Sequence, residues 1–205
     1  MTRKPDTAAR ERILDTALQL FHQGGFDGES MESVARAAHI KKANLFHYFP
    51  SKRELMLAVL DRVISRLREM VLARFGSTGA DPVATIDGMF EETAAWMSQT
   101  NCRGGCFVGN TALAVSDRDE ELRGRVAQHF RFWRLTMAGF LWEWKERGFF
   151  RPEFDPNNAA QSLVSLLEGS ILISKASRSA FAVESAREMA RRYVESYRAQ
   201  APSAV

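Results

Sequence analysis

The chain of 205 residues is short of cysteine: Cys102 and Cys106 are its only two. Two cysteines exclude a disulfide scaffold, and in a reducing compartment both would stay as thiols. Long apolar runs are missing too. The opening "MTRKPDTAARERILD" has nothing suited to a secretion signal, and no uncharged apolar stretch approaches the roughly 20 residues that span a bilayer. A soluble, cytoplasmic protein without membrane association is therefore expected. Also absent are an HExxH helix, a GxSxG elbow, a phosphate-cradling glycine loop and any segment dense in titratable groups, so no enzymatic activity is expected. A metal site is disfavoured because the two cysteines have no third or fourth ligand near them in sequence; His22, His39 and His47 lie early and His129 stands alone. No cofactor is implied.

The alternation of strands is scarce, and helical spacing recurs almost everywhere. A first helix carries Ile13, Ala17, Leu20 and Phe21 on one face, with Asp6 or Thr7 as N-cap and Gly24-Gly25 as a stop. Ser30 caps a short second helix, Met31 to Ala37, since its hydroxyl can accept a first-turn amide. After a turn at Ala38 to Ile40 a third runs from Lys41 to His47, and Ser51 caps a long fourth from Lys52 to about Phe75. "GSTGADP", 76–82, reads as a linker. Five more helices follow: Pro82 to Gln99, Gly105 to Val115, Asp119 to Arg147 closed by Gly148, one opened by Asp155-Pro156, and Val183 to Tyr197. The fold class is all-α, with a three-helix domain over 1–51, a connecting helix over 52–75 and a larger helical domain over 76–205.

Charge is uneven. Residues 1–75 hold 13 Lys and Arg against 9 Asp and Glu, while the remainder holds 15 against 16. Between Glu32 and Glu54 there is no acid, yet Arg36, Lys41, Lys42, Lys52 and Arg53 all fall there, from the second helix through the third to the start of the fourth. A helix fits the major groove, its first residues reach base edges, and flanking cations neutralise phosphates. In "KKANLFHYF" Lys41 and Lys42 would enter first, Asn44 can pair with adenine, and the Ala43 methyl can pack on a thymine methyl. His47, Tyr48 and Lys52 are placed for phosphate, and Ser30 joins them at the start of the second helix. Leu45 and Phe49 read as core, and Phe46 as core or a van der Waals contact.

Over residues 10–60 the chain resembles the TetR family of transcriptional regulators, through "RERILDTALQLFHQGGFDGESMESVARAAHIKKANLFHYFPSKREL". It departs from that pattern at Glu29 for a Thr, His39 for the turn Gly, Lys41 for a Ser, Ala43 for a Gly and Phe46 for a Tyr. Glu29 is expected to point away from DNA. The resemblance implies a homodimer on a palindromic, double-stranded operator, with recognition helices about 34 Å apart. It also implies repression as the default, relieved when a small-molecule effector binds the C-terminal domain and spreads the reading heads through the fourth helix. Dimerisation through the eighth and ninth helices follows by the same likeness; the near-absence of charge in the eighth, where Glu168 stands alone between Ala159 and Ser174, agrees with it.

Met89, Trp96, Phe107, Phe130, Trp133 and Met137 form an aromatic and thioether set suited either to an apolar effector cavity or to plain core, and Asn110 and Arg134 are the polar residues placed to orient a ligand. The cysteines keep two readings. Cys106, in the first turn of the sixth helix beside Arg103, can serve as a redox or electrophile sensor. "GCFVGNTALA" is also similar to a stretch of TetR-like regulators in which that cysteine belongs to helix packing, and Cys102 then reads as an incidental loop residue.

Overall fold

The computed structural model describes residues 7–76, 79 and 81–199. Among them are nine helices: α1 (Thr7–Gly28), α2 (Met31–Ala37), α3 (Lys42–Tyr48), α4 (Lys52–Phe75), α5 (Pro82–Gln99), α6 (Phe107–Val115), α7 (Glu120–Glu146), α8 (Pro156–Ser177) and α9 (Phe181–Ser196). Asp6, one of the two expected caps of the first helix, lies outside the described residues. None of the nine is long and apolar enough to cross a membrane.

Capping explains where most helices begin. The Ser30 hydroxyl accepts from the Ser33 amide at 3.0 Å and Ser33 returns the bond to the Ser30 amide at 2.9 Å, a reciprocal capping box. Ser51 Oγ accepts from the Glu54 amide at 3.1 Å. Asp81 and Asp155 each accept two first-turn amides, with Pro82 and Pro156 following where no amide is needed. The first helix does not stop at Gly24-Gly25: Gly25, at φ 76°, kinks it, and helical hydrogen bonding resumes to Gly28.

The chain packs into two compact units. One takes residues up to Arg66 together with Phe107–Val126; the other takes Leu67–Cys106 and Ala127 onward. In this division α6 goes with the first unit, where it packs on α1. In the first unit α1 lies on α2 and α6, α2 lies on α3, and Ile13, Ala17, Val34, Leu45, Leu55, Val59 and Leu60 are buried. In the second, α5 and α8 pack on α9 around Ile86, Phe90, Met97, Met137 and Leu141. Arg187 of α9 straps that unit across, donating to Asp87 of α5 at 2.6 and 2.9 Å and to Glu91 at 3.0 Å. The strap holds the Asp87 carboxyl below the usual carboxylate range.

Along α4, Leu55, Val59 and Val71 are buried as the four-residue spacing suggests, but Val63 and Leu67 are only half-buried and Leu60 and Ile64 take their place. Steps of four overshoot a 3.6-residue turn by about 40° each, so a strict i+4 row winds off the core face.

Candidate nucleic-acid interface

The turn between α2 and α3 sets the geometry of the candidate reading head. His39 sits in the left-handed region at φ 54°, its amide donating to Arg36 O at 3.2 Å, while the Ile40 amide donates to Ala35 O at 3.0 Å. That pair of bonds is the Schellman closure of α2, and it asks residue 39 for a conformation that glycine adopts freely and histidine tolerates. The turn therefore keeps its shape despite the departure from glycine.

Lys41 is the N-cap of α3 rather than its first helical residue, in extended conformation at φ −67°, ψ 141°. From there Lys41, Lys42, Ala43, Asn44 and His47 are exposed and Tyr48 is half-buried, while Leu45 and Phe49 sink into the core. For Phe46 the core reading is corrected: at 38% exposed it stands on the open side of α3. Burial of Leu45 and Phe49 at four-residue spacing fixes the roll of the helix, and this roll leaves the polar residues outward.

Three cations of the acid-free stretch have intramolecular partners. Lys42 pairs with Glu32 of α2, holding the Glu32 carboxyl down. Lys52 places its ammonium 4.5 Å from the centre of the Phe26 ring, an attraction of the cation for the ring face. Arg53 is bound furthest from phosphate work. It donates to Asp119 Oδ1 at 3.0 Å, to Asp119 Oδ2 at 2.5 Å and to Glu121 at 2.8 Å, which sets the Asp119 carboxyl at about 2. With Arg118 on Asp27 and Arg125 on Asp61, these pairs tie the 107–126 segment to α1 and α4 inside the first unit. Nothing in the local sequence signals this, because the partners lie more than 60 residues apart. Glu29 accepts from Ser33 Oγ at 2.6 Å and lies against Gly24.

Both sequence matches and fold matches bear on this arrangement. Residues 13–59 match the model of bacterial regulatory proteins of the tetR family, and residues 82–190 match the tetracyclin repressor-like C-terminal domain. The chain belongs to the TetR family. It is a DNA-binding transcriptional regulator, and the family is one of regulators rather than enzymes. Among similar proteins, the transcriptional repressor DhaR of Mycobacterium sp. (strain GP1) is 24% identical over 172 residues, covering 84% of this chain and 85% of its own. The crystal structure of a TetR regulator from Chloroflexus aurantiacus superposes with a TM-score of 0.84 at 26% identity, covering 95% and 98%. The reduced form of Escherichia coli NemR does so with 0.83 at 26%, covering 96% and 100%.

For this TetR-family chain the expected effector residues divide between the units. Met89 and Met137 are buried in the core of the second, with Trp96, Phe130 and Trp133 packed against it and Arg134 half-buried. Phe107 and Asn110 belong to α6 in the first unit, where the Phe107 ring meets His22 edge-on at 5.8 Å. The cysteines are corrected as well. Cys102 is no incidental loop residue: at 3% exposed and φ 53° it is part of the second unit's core, and its carbonyl accepts from Arg178 at 3.1 Å. Cys106 is not in the first turn of the sixth helix but directly before it, because Gly104 and Gly105, at φ 78° and 73°, delay the helical conformation. Neither cysteine is in a disulfide. The Cys106 side chain is hydrogen-bonded with Glu168, whose carboxyl burial pushes up and that bond pulls down. Among the described residues no group of three or more His, Cys, Asp or Glu is placed to hold a metal ion.

Proposed function

We propose that this regulator is a ligand-responsive repressor that binds a palindromic operator as a homodimer and is released by a small effector. The observation that carries the reading is the roll of α3: Lys41, Lys42, Ala43, Asn44 and His47 face outward together while Leu45 and Phe49 anchor the helix. Relatives named as repressors, among them DhaR, support repression as the sense of regulation. Ser30, Tyr48 and Lys52 complete the phosphate-facing set. For the homodimer, support comes from the outer side of α8 and α9. Leu172, Ile173, Phe181 and Met189 are 47–72% exposed there, a large apolar surface for two helices to leave in water. For coupling, support comes from the 107–126 segment, which the Arg53, Arg118 and Arg125 pairs make part of the reading head, and which carries Phe107 and Asn110 of the expected effector set.

The purified protein is expected to retard DNA from its own promoter region at low salt, as a complex containing two protomers per half-site pair, and small apolar compounds that raise its Tm should abolish the shift. No retardation at low salt would overturn the reading.

A second reading, a thiol sensor at Cys106, is favoured by one observation: the half-buried Cys106 side chain touches the raised Glu168 carboxyl, an ionisable contact that packing alone does not need. The similarity to NemR, a protein crystallised in a reduced form, points the same way. Cys106→Ser should leave operator binding intact and blunt its release by hypochlorite or N-ethylmaleimide. Unchanged release by both reagents would return Cys106 to packing.

A further inference from the structure

Arg68 of α4 and His129, Phe132 and Trp133 of α7 all belong to the second unit, and the three with polar side chains share an unusual feature. Arg68 Nε, His129 Nδ1 and Trp133 Nε1 are buried and meet no hydrogen-bond partner among the described residues. Native interiors leave few such atoms, and each costs the water it has lost. These three belong to one neighbourhood. The His129 and Trp133 rings, one helical turn apart, have centroids 6.3 Å apart. The Arg68 guanidinium lies 5.0 Å from the centre of the Phe132 ring, and its charge reaches His129.

Two of the three atoms have one-sided chemistry. Indole and guanidinium nitrogens only donate. His129 is 2% exposed, and burial first, then the Arg68 charge, push its pKa down to about 4, so at neutral pH it is an uncharged ring with one N–H to offer. Neighbouring cations on α4 are neutralised, Arg62 by Glu11 and Asp15 and Arg74 by Glu92, whereas no ion pair of a described residue involves Arg68. With its proton on Nδ1, His129 is the third donor, and three donors, one with an uncompensated positive charge, call for a group that accepts several hydrogen bonds and is negative. The Phe132 ring, one turn from His129 and beside the Arg68 guanidinium, calls for a flat apolar body.

We propose that Arg68, His129 and Trp133 bind the carboxylate of a small aromatic acid, with its ring carried against Phe132. This rests on the ligand-responsive reading above and names the chemistry of the effector. A carboxylate offers two oxygens and about four lone pairs, enough for all three donors. Charge-assisted bonds to Arg68 would supply most of the discrimination against uncharged analogues.

The test is titration of the full-length protein with 1-naphthoate, followed by calorimetry and tryptophan fluorescence, with 1-naphthamide as the neutral isostere and inorganic phosphate as charge without a body. Naphthoate should bind at least about tenfold more tightly than the amide, since a hydrogen bond to a charged group is worth more than a neutral one. Trp133→Phe, which keeps the ring and removes the N–H, should weaken naphthoate about 2- to 10-fold, and Arg68→Met about 10- to 100-fold, with Arg68→Lys between wild type and Arg68→Met. Equal affinity for acid and amide, binding of phosphate as tight as naphthoate, or naphthoate affinity unmoved by Trp133→Phe would overturn the site. Trp133→Phe decides the matter if Arg68→Met fails to fold. The same samples on operator DNA separate this proposal from the reading beneath it. If neutral compounds release the operator and naphthoate does not bind, the effector reading stands and this site falls. If naphthoate binds through Arg68 and Trp133 yet never releases DNA, the site stands and the effector reading falls.

Discussion

Alanine at both Lys41 and Asn44 is expected to lower operator affinity by about 100-fold or more, the lost Asn44 base-edge contact being worth about 1–3 kcal/mol of discrimination and the lost Lys41 charge weakening binding further, while leaving the folded protein intact. Both side chains are on the outside of the helix-turn-helix, and neither packs α2 against α3; that role falls to Leu45, Phe49 and the Schellman turn at His39. The two components are separable. Asn44→Ala should flatten the preference at one base pair, seen as a reduced ratio of operator to scrambled-site affinity. Lys41→Ala should weaken both nearly equally if it meets phosphate, and lower the slope of log K against log salt by about one. Lys42 is expected to contribute less than its charge suggests, because Glu32 already holds it and the pair must open before DNA can use it. Fluorescence anisotropy over a range of salt reads all of these. If Asn44→Ala leaves the specificity ratio unchanged, α3 is not the reading helix.

Much of this architecture is written locally in the chain. The starts of α2, α4, α5 and α8 coincide with Ser30, Ser51, Asp81-Pro82 and Asp155-Pro156, because a capping side chain and a missing proline amide act within four residues of where they stand. The outward face of α3 was legible for the same reason, since the spacing of Leu45 and Phe49 alone fixes its roll. What escaped was set by distant partners or by backbone torsion. The start of α6 slipped because two glycines in succession take positive φ, which composition alone does not dictate. Arg53 counted as a free cation in the sequence, and only the fold brings Asp119 to it. The Phe149, Phe150, Phe154 and Tyr197 rings, joined through the antiparallel bridge of Phe150 with Arg198, assemble from segments on either side of α8, so no periodicity marks them. His129 stood alone among the histidines in sequence; its significance depends on Arg68, contributed by another helix.

Phe90→Ala should be the most destabilising single change in the second unit, at about 3–5 kcal/mol for truncating a buried aromatic ring, against total stabilities of about 5–15 kcal/mol. Phe90 is 0% exposed on α5, in the core that α5 shares with α8 and α9 around Ile86 and Met97. Loss of its ring leaves a cavity that these helices cannot close without abandoning the Arg187 strap, whose bidentate geometry on Asp87 fixes the spacing of α9 over α5. The first unit has its own core of Ile13, Val34, Leu45, Leu55 and Leu60, so the damage should be unequal. Differential scanning calorimetry should show an early transition for the second unit in Phe90→Ala, while Leu135→Ala, at a site 45% exposed on α7, should move it by no more than about 0.5 kcal/mol. A single transition, displaced as a whole, would mean instead that the two units unfold as one. In that case a ligand bound in the second would stabilise the reading head to the same extent, and effector response would have to come from a change in geometry rather than from selective ordering of one unit.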